Sequence, residues 1–243
     1  MNEIPLRLSI CLFALGIAGT GSAFAAPLPC QTASLQTYVA TGPCSVGNLT
    51  FSNFNLLTNP SGAPEIGADS ITVTPTSSAF TQSLEFRFRS SAVGSLFGSS
   101  FERIFTYLVM PMGTFTNASI SLMNSSATGD GVVLGNQFIC QGGALSADGS
   151  SCASTGTFFN QAVVEISPSD PTLRNASLPL NFNSNSLFVR NEIAVDGGSS
   201  GSAAGGAFTN SFTAVPEPGN LTMVGSVVLG ALILRRRSFK GQI

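Results

Sequence analysis

The stretch Leu84-Glu85-Phe86-Arg87-Phe88-Arg89 carries the strongest structural signal in this chain. Its apolar residues occupy alternate positions, so an extended strand places them on one face and the charged residues on the other. The segment from Gly206 to Ala214 repeats this alternation, with Phe208, Asn210 and Phe212 on one face. Both segments therefore predict β-strands that bury one face in a core and turn the other to solvent.

Clusters of Gly, Pro, Asn, Asp and Ser separate further strand candidates. These are Asn48–Leu57, Ser70–Thr74, Phe101–Met110, Ser119–Met123, Val132–Ile139, Phe158–Ile166, Ser177–Phe182 and Ser186–Val195. About ten short strands in one domain predict an all-β fold, an antiparallel β-sandwich of jelly-roll or Ig-like type, with a barrel as the alternative. The domain is expected to span residues 26–213, with phenylalanine as the main core filler because the chain has no Trp and only two Tyr.

Two Gly- and Ser-rich stretches are expected to be loops. Residues 141–156 form the first, and residues 196–206 are expected to be a flexible connection before the last strand.

The charge balance excludes several classes of function. Between Ala26 and Ala214 there are five arginines, no lysine and ten acidic residues, for a net charge of −5. Such a surface has no footprint for nucleic acid, so no nucleic-acid partner is expected. The whole chain has no His, which excludes a histidine general base, a His-based triad and His metal ligands.

The cysteines predict disulfides. The expected domain of residues 26–213 contains four cysteines, Cys30, Cys44, Cys140 and Cys152. Four cysteines allow three pairings, and their spacing favours the local pairs Cys30–Cys44 and Cys140–Cys152. A four-thiolate zinc site is the alternative, but structural zinc sites usually show C-x(2–4)-C spacing. We therefore expect no metal and no cofactor.

The remaining motifs predict little chemistry. Glu65 and Asp69 are candidate paired carboxylates of the kind used in glycoside hydrolysis, although an exposed loop is the simpler interpretation. Gly197 to Gly201 matches G-x-S-x-G but has no histidine partner. Asp130, Asp148 and Asp196 each neighbour a glycine, which indicates turns more readily than calcium ligands. No catalytic residue is predicted.

Two further patterns concern side chains that bind sugar or water. Tyr38 and Tyr107 lie in strand-like stretches, where packing in the core or at a sheet edge is expected rather than stacking on a sugar. The row Thr72, Thr74 and Thr76 predicts a polar strand face; the alternative is a threonine ladder that orders water or ice.

The N-terminus has the order of a secretory signal. An apolar core from Leu8 to Ala18 follows Arg7, and Ala23-Phe24-Ala25 provides a small-x-small cleavage site. Residues 1–25 are therefore predicted to be a signal peptide, cleaved between Ala25 and Ala26.

The C-terminus, residues 214–243, has the order of a sorting tail. Val215-Pro216-Glu217-Pro218 precedes an uncharged apolar run from Leu221 to Leu234, within a predicted single transmembrane helix at 220–234, and Arg235, Arg236 and Arg237 follow as a stop-transfer signal. The two prolines are expected to keep their segment out of any helix or central strand, extended and accessible beside the membrane.

This arrangement resembles the C-terminal sorting signal of the PEP-CTERM proteins of Gram-negative bacteria. The resemblance covers Val215 to Arg237 together with the signal peptide. It implies processing near Pro216-Glu217-Pro218 by an exosortase-type enzyme, a transient membrane intermediate at the inner membrane and delivery to the cell surface or extracellular matrix. It also implies an association with extracellular polysaccharide and biofilm.

Three hypotheses of function follow from the sequence. The first is a non-enzymatic structural or adhesive component of the surface or matrix, since no catalytic cluster is visible. The second is a glycan-binding β-sandwich module, with or without calcium. The third and most distant is an acid-pair glycoside hydrolase.

Overall fold

The computed structural model describes residues 27–93, 99–153, 157–169, 174–180 and 185–216. The predicted signal peptide with its cleavage site at Ala25–Ala26 lies outside these ranges. So does the tail from Glu217 onward, with Pro218, the predicted membrane helix and the arginines 235–237. Within the described ranges, no helix has the length and apolar character needed to cross a bilayer.

Sixteen strands, one short helix and one 3₁₀ turn make up the described chain. In chain order the strands are β1 (Leu28–Pro29), β2 (Ala33–Ser34), β3 (Cys44–Val46), β4 (Leu49–Leu57), β5 (Thr72–Ser77), β6 (Thr81–Arg87), β7 (Ser91–Val93), β8 (Ser100–Pro111), β9 (Gly113–Met123), β10 (Ser126–Thr128), β11 (Val132–Gln141), β12 (Thr157–Ile166), β13 (Asn175–Pro179), β14 (Leu187–Asp196), β15 (Ser202–Ala204) and β16 (Ala207–Pro216). The helix α1 is Leu35–Ala40, and the 3₁₀ turn is Ala68–Ser70.

Two large sheets face each other. Sheet A has the strand order β1-β3-β4-β8-β14-β11-β12, and sheet B the order β13-β9-β16-β6-β5-β2. Every pair in these sheets is antiparallel except β1 with β3. A small sheet C has the order β10-β15-β7. Its strands adjoin β9, β16 and β6 along the chain, which are three neighbouring strands of sheet B. The predicted all-β, antiparallel fold is confirmed.

The alternation that predicted β6 also places it. Leu84, Phe86 and Phe88 are fully buried between the sheets, whereas Arg87 is exposed. Phe86 of sheet B meets Phe105 of sheet A with ring centroids 4.6 Å apart, and Phe51 of sheet A meets Phe212 of sheet B at 6.2 Å. Phenylalanine therefore fills the core between the sheets, as expected.

A polar cluster lies in the middle of this apolar core. Asn210 of sheet B is fully buried and donates from Nδ2 to the Tyr107 hydroxyl at 2.6 Å and to Asn191 Oδ1 at 2.7 Å. Tyr107 and Asn191 belong to β8 and β14 of sheet A. The three side chains thus join the two sheets through hydrogen bonds, and we call them the core amide cluster.

Both predicted disulfides are present. Cys30–Cys44 ties the start of the domain to β3, and Cys140–Cys152 closes the loop that follows β11. That loop lies over the outer face of sheet A. At Gly149, where φ is +71°, a Cβ atom would come within 2.5 Å of Arg190 Cδ, so the loop approaches sheet A too closely for a side chain.

Residues 196–206 are not the flexible connection that the sequence predicted. They contain β15, which pairs with β10 on one side and β7 on the other. Asp130 accepts hydrogen bonds from the backbone N–H and hydroxyl groups of both Ser199 and Ser200. These bonds hold the turn that precedes β15. Composition alone does not reveal these partners, because they lie about 70 residues away along the chain.

Other differences concern element bounds. Strand β9 begins at Gly113, well before the predicted start at Ser119, because its polar first half pairs along β16. The helix α1 was not predicted; Ser34 caps it by accepting a hydrogen bond from Thr37 N at 3.1 Å.

The last strand extends beyond the predicted boundary at residue 213. Val215 pairs with Thr114 and Pro216 with Gly113, so Pro216 belongs to the sheet. Strand β6 pairs with β16 only as far as Thr213. Beyond that point β16 has one neighbouring strand, and such an edge tolerates a residue without an N–H donor.

Candidate functional site

The outer face of sheet B is rich in hydroxyl groups. Because alternate residues of its strands point into the core, the residues between them point outward. One row of hydroxyls crosses four strands, from Thr76 through Ser83 and Ser211 to Ser119. We call the whole surface the hydroxyl face; it comprises Thr72, Thr74, Thr76, Thr81, Ser83, Ser119, Ser121, Thr209, Ser211 and Thr213.

Hydrogen bonds between neighbouring strands order this face. Ser83 donates to Ser211 at 2.7 Å, and the hydroxyls of Thr81 and Thr213 lie 3.0 Å apart. A hydroxyl can accept while it donates, so these groups keep capacity for a further partner. The predicted polar threonine strand is thus one edge of a wider surface. The sequence reveals each strand's alternation but not which strands lie side by side.

An open groove of about 650 Å³ adjoins this face, at the start of β5 and the end of β6. It is lined by Thr32, Ser70, Thr72, Thr74, Arg87 and Arg89. In the register of the sheet, Thr72 lies opposite Arg87 and Thr74 opposite Glu85. The groove therefore combines hydroxyl groups with two guanidinium groups.

The two groove arginines are the exposed arginines of the described chain. Arg103 and Arg190 are buried and paired with carboxylates, and Arg174 is half-buried. Arg87 pairs with Glu85 at 2.9 Å, but its side chain remains 55% exposed. An exposed pair of this kind is weak, so the Arg87 guanidinium remains available to a ligand.

The chemistry of the groove suits an anion surrounded by hydroxyl groups. Guanidinium forms paired hydrogen bonds with carboxylate, and the threonine hydroxyls serve as donors or acceptors. Aromatic stacking is not offered by tyrosine, since Tyr38 and Tyr107 are both buried as expected. Burial raises the pKa of Tyr38 to about 12, so it remains a neutral core residue.

A pair of carboxyl groups lies on the outer face of sheet A. Glu102 of β8 and Glu192 of β14 are diagonal neighbours, because Glu192 faces Ile104 and Glu102 faces Ala194. Burial raises the pKa of Glu192; the Arg190 charge lowers it in part, and the Glu102 charge raises it further.

The carboxyl pair is already engaged by the protein. Ser61 donates to Glu102 Oε2 at 2.8 Å, and Arg190 Nη2 lies 3.0 Å from Glu192 Oε2. Glycosidases separate their two carboxyl groups by about 5 to 9.5 Å so that sugar and water fit between them. A carboxyl pair that acts on a sugar must also be free to meet it, and here Ser61 and Arg190 already hold the two groups.

The structure does not join the predicted carboxylates Glu65 and Asp69. Glu65 forms an ion pair with Arg103 at 2.9 Å, and Asp69 lies in the 3₁₀ turn. The sequence alone does not show that Glu102 and Glu192 are neighbours, because they meet only through the register of β8 with β14.

The three aspartates considered for calcium act within turns. Asp148 accepts from Ser146 and from the Ser150 backbone and hydroxyl, which lowers its pKa to about 2. The Ser199 hydroxyl is the largest cause of the lowered pKa of Asp130, and Asp196 accepts from Gly198 N at 2.8 Å. Within the described ranges, no three metal-ligating side chains group together.

The sorting motif is divided between the fold and the remaining tail. Val215 and Pro216 end β16, while Glu217, Pro218 and the arginines 235–237 lie outside the described residues.

Comparison with known proteins gives limited information. No protein-family model matches the chain, and no curated protein matches it. Among solved structures, the chain is similar to TmCBM61 in complex with beta-1,4-galactotriose, with 10% identity over 65% of this chain and 86% of that chain and a TM-score of 0.27.

Two other similarities involve larger proteins. One is to the Glycosylation Associate Protein complex from Streptococcus agalactiae, with 14% identity over 74% of this chain and a TM-score of 0.25. The other is to the enzymatically active domain of tailspike protein 4 of bacteriophage CBA120, with 11% identity over 68% of this chain and a TM-score of 0.20. This chain spans only 28% and 19% of those two chains. TM-scores this low do not indicate a function for this chain.

Proposed function

We propose that this protein is an exported, non-enzymatic surface or matrix protein that binds an acidic extracellular polysaccharide through the hydroxyl face and the adjoining groove. The observation that carries the proposal is the concentration of the exposed arginines, Arg87 and Arg89, beside a hydroxyl row that crosses four strands.

The shape of the surface supports a polymeric ligand. Four strands at about 4.8 Å spacing make the hydroxyl row about 14 Å wide, and the groove extends the surface beyond it. Polar contacts alone, direct or through water, would hold the polymer. A carboxylate on the polymer would pair with Arg87 or Arg89, while its hydroxyl groups would meet Thr72 and Thr74.

The proposed location rests on the two ends of the chain. A signal peptide of residues 1–25 and a PEP-CTERM tail of residues 214–243 would take the protein through a membrane intermediate to an exosortase-type enzyme and then to the cell surface of a Gram-negative bacterium. The two disulfides are consistent with an oxidising compartment.

The proposal that the protein is not an enzyme rests on the state of its polar groups. The chain has no histidine, and its four domain cysteines are joined in disulfides. The carboxyl pair of Glu102 and Glu192 is held by a serine and an arginine.

Binding to alginate, a uronate polymer, and to uncharged dextran tests the ligand class. Arg87→Gln/Arg89→Gln should weaken alginate binding by about tenfold or more and reduce its dependence on salt, because each charged hydrogen bond contributes about 1.5–3 kcal/mol. The matched control is Glu85→Gln on the same strand, which frees Arg87 and should leave binding equal or stronger. Equal binding of alginate by the double arginine variant would contradict the groove.

The hydroxyl face needs a separate test. Thr74→Val/Ser211→Val removes two hydroxyls and puts β-branched residues, which favour strands, in their place. Binding should therefore weaken without loss of folding. Thr106→Val, which makes the same change on the outer face of sheet A, is the control. If both variants bind equally well, the hydroxyl face is not the binding surface.

Sorting is tested on whole cells. Pro216→Ala/Glu217→Ala should trap a full-length, membrane-held form, because the enzyme would lose the residues at the point where the chain leaves β16. Thr213→Ala, earlier in the same strand, should be processed normally. Normal size and release of the double variant on a blot would contradict the proposed signal.

A further inference from the structure

One end of the sandwich carries most of the exposed apolar side chains of the described chain. Of the six large apolar side chains that are exposed there, four lie at this end: Met112 at 71%, Phe80 at 57%, Val215 at 39% and Met110 at 37%. We call these four residues the apolar tip. Isolated exposed apolar residues are common, but several at one end of a domain mark an interaction surface.

Hydrogen bonds show that these residues share one end. Ala214 N donates to Phe80 O at 3.1 Å, and Met112 N donates to Asn48 O at 2.8 Å. The next residue, Gly113, pairs with Pro216 at the end of β16. The turn before β6, the turn before β9 and the end of the last strand therefore meet.

The described residues of this end carry no charge. No charged residue occurs between Ile71 and Leu84, between Ile104 and Gly129, or between Ala207 and Pro216. The groove arginines and the carboxyl pair lie at the other end of the same strands. Arg87 is at the end of β6, and Glu102 is near the start of β8. A surface without charge has no desolvation cost for ions when it enters an interface.

Strand β16, the last described element, ends here as well. Five residue steps separate Pro216, paired in the sheet, from Leu221, where the apolar run begins. Fully extended, five steps reach about 18 Å at most. If the run enters a bilayer, the end of β16, beside the apolar tip, stays within about 18 Å of the hydrocarbon surface.

We propose that the apolar tip docks on the lipid interface of the membrane while the tail is inserted, so that the groove and the charged end point away from the bilayer. This inference rests on the proposed membrane insertion of the tail. Methionine and phenylalanine side chains at the tip would enter the interfacial region, and the short tether would keep them there. Without charges at the tip, the docking requires no anionic lipid and is insensitive to salt.

Single-tryptophan variants provide the experiment, because the chain has no Trp. The protein is purified from membranes with its tail intact and reconstituted in phosphatidylcholine nanodiscs with brominated acyl chains. Met112→Trp and Phe80→Trp should show a blue-shifted emission that bromine quenches, at low and high salt alike. Pro60→Trp, in the exposed loop after β4 at the other end, is the control and should remain unquenched.

Each alternative result has a defined meaning. If the protein elutes with the nanodiscs but the tip tryptophans are not quenched, or Pro60→Trp is quenched as strongly, docking is overturned while tail insertion stands. If unquenched tip tryptophans accompany two copies per nanodisc, the tip belongs to a contact between copies and lipid docking is overturned. If the protein does not elute with nanodiscs, both tail insertion and docking are overturned.

Discussion

The core amide cluster should contribute measurably to stability, and Asn210→Leu is the change that tests it. Leucine has similar size and suits the apolar surroundings, so the substitution mainly removes the two hydrogen bonds that Asn210 donates to Tyr107 and Asn191 across the sheets. The position is fully buried, so water cannot replace these bonds.

The expected magnitude follows from the groups that lose a partner. Asn191 Oδ1 would be left buried without a donor, and the Tyr107 hydroxyl would lose the donor that Asn210 supplies. A buried polar group without a partner costs about 1–3 kcal/mol. Asn210 Oδ1, itself unpaired within the described residues, would be removed and offsets part of this cost. We expect a net loss of about 2–3 kcal/mol in the free energy of unfolding, or about 4–12 °C in Tm for a domain of this size.

Urea denaturation followed by circular dichroism measures this loss. Asn175→Leu, on the exposed face of β13, is the matched control and should change stability by no more than about 0.5 kcal/mol. Tyr107→Phe/Asn191→Leu/Asn210→Leu removes the whole cluster and should recover much of the stability, because the groups that lose a partner in Asn210→Leu are then absent. An Asn210→Leu protein as stable as the native one would refute the reasoning.

Two further predictions concern pH and covalent structure. Burial raises the pKa of Glu192 above its ordinary value of 4.5, so the proton is held more tightly in the folded protein; this contribution to stability is present below pH 4.5 and is lost as pH rises through the folded-state pKa. Glu192→Gln should remove that decline in thermal melts between about pH 4 and 8, and an unchanged profile would contradict it. Cys140→Ser/Cys152→Ser opens a loop with a sequence separation of 12 and should cost about 3 kcal/mol in denaturant unfolding; a loss near zero would show that the loop is held by its other contacts.

Much of the architecture was predictable because its signals are local. The alternation from Leu84 to Phe88 has one physical cause, the two-residue period of a strand, and all three apolar residues are buried as that period requires. The cysteine pairs were predictable for a similar reason, since short loops close more readily than long ones. The last strand runs past residue 213 because β16 has a single neighbour at that point, where a residue without an N–H donor is tolerated, and the sequence does not show which strands are neighbours.

The functional surfaces were not predictable in the same way. Asp130 meets Ser199 about 70 residues later, and Glu102 meets Glu192 only because β8 and β14 are neighbours in one register. The hydroxyl face has the same origin, since each strand contributes only alternate hydroxyls to it.

By itself, the sequence determined that this chain forms antiparallel strands with a phenylalanine core and two local disulfides, because a period of two and a short loop are properties of neighbouring residues. Only the tertiary structure decided that Thr76, Ser83, Ser211 and Ser119 form one row, that Arg87 and Arg89 line a groove, and that Phe80 and Met112 lie where the chain leaves β16. Strand order and register bring these residues together, and both depend on the packing of the whole core and not on any single segment.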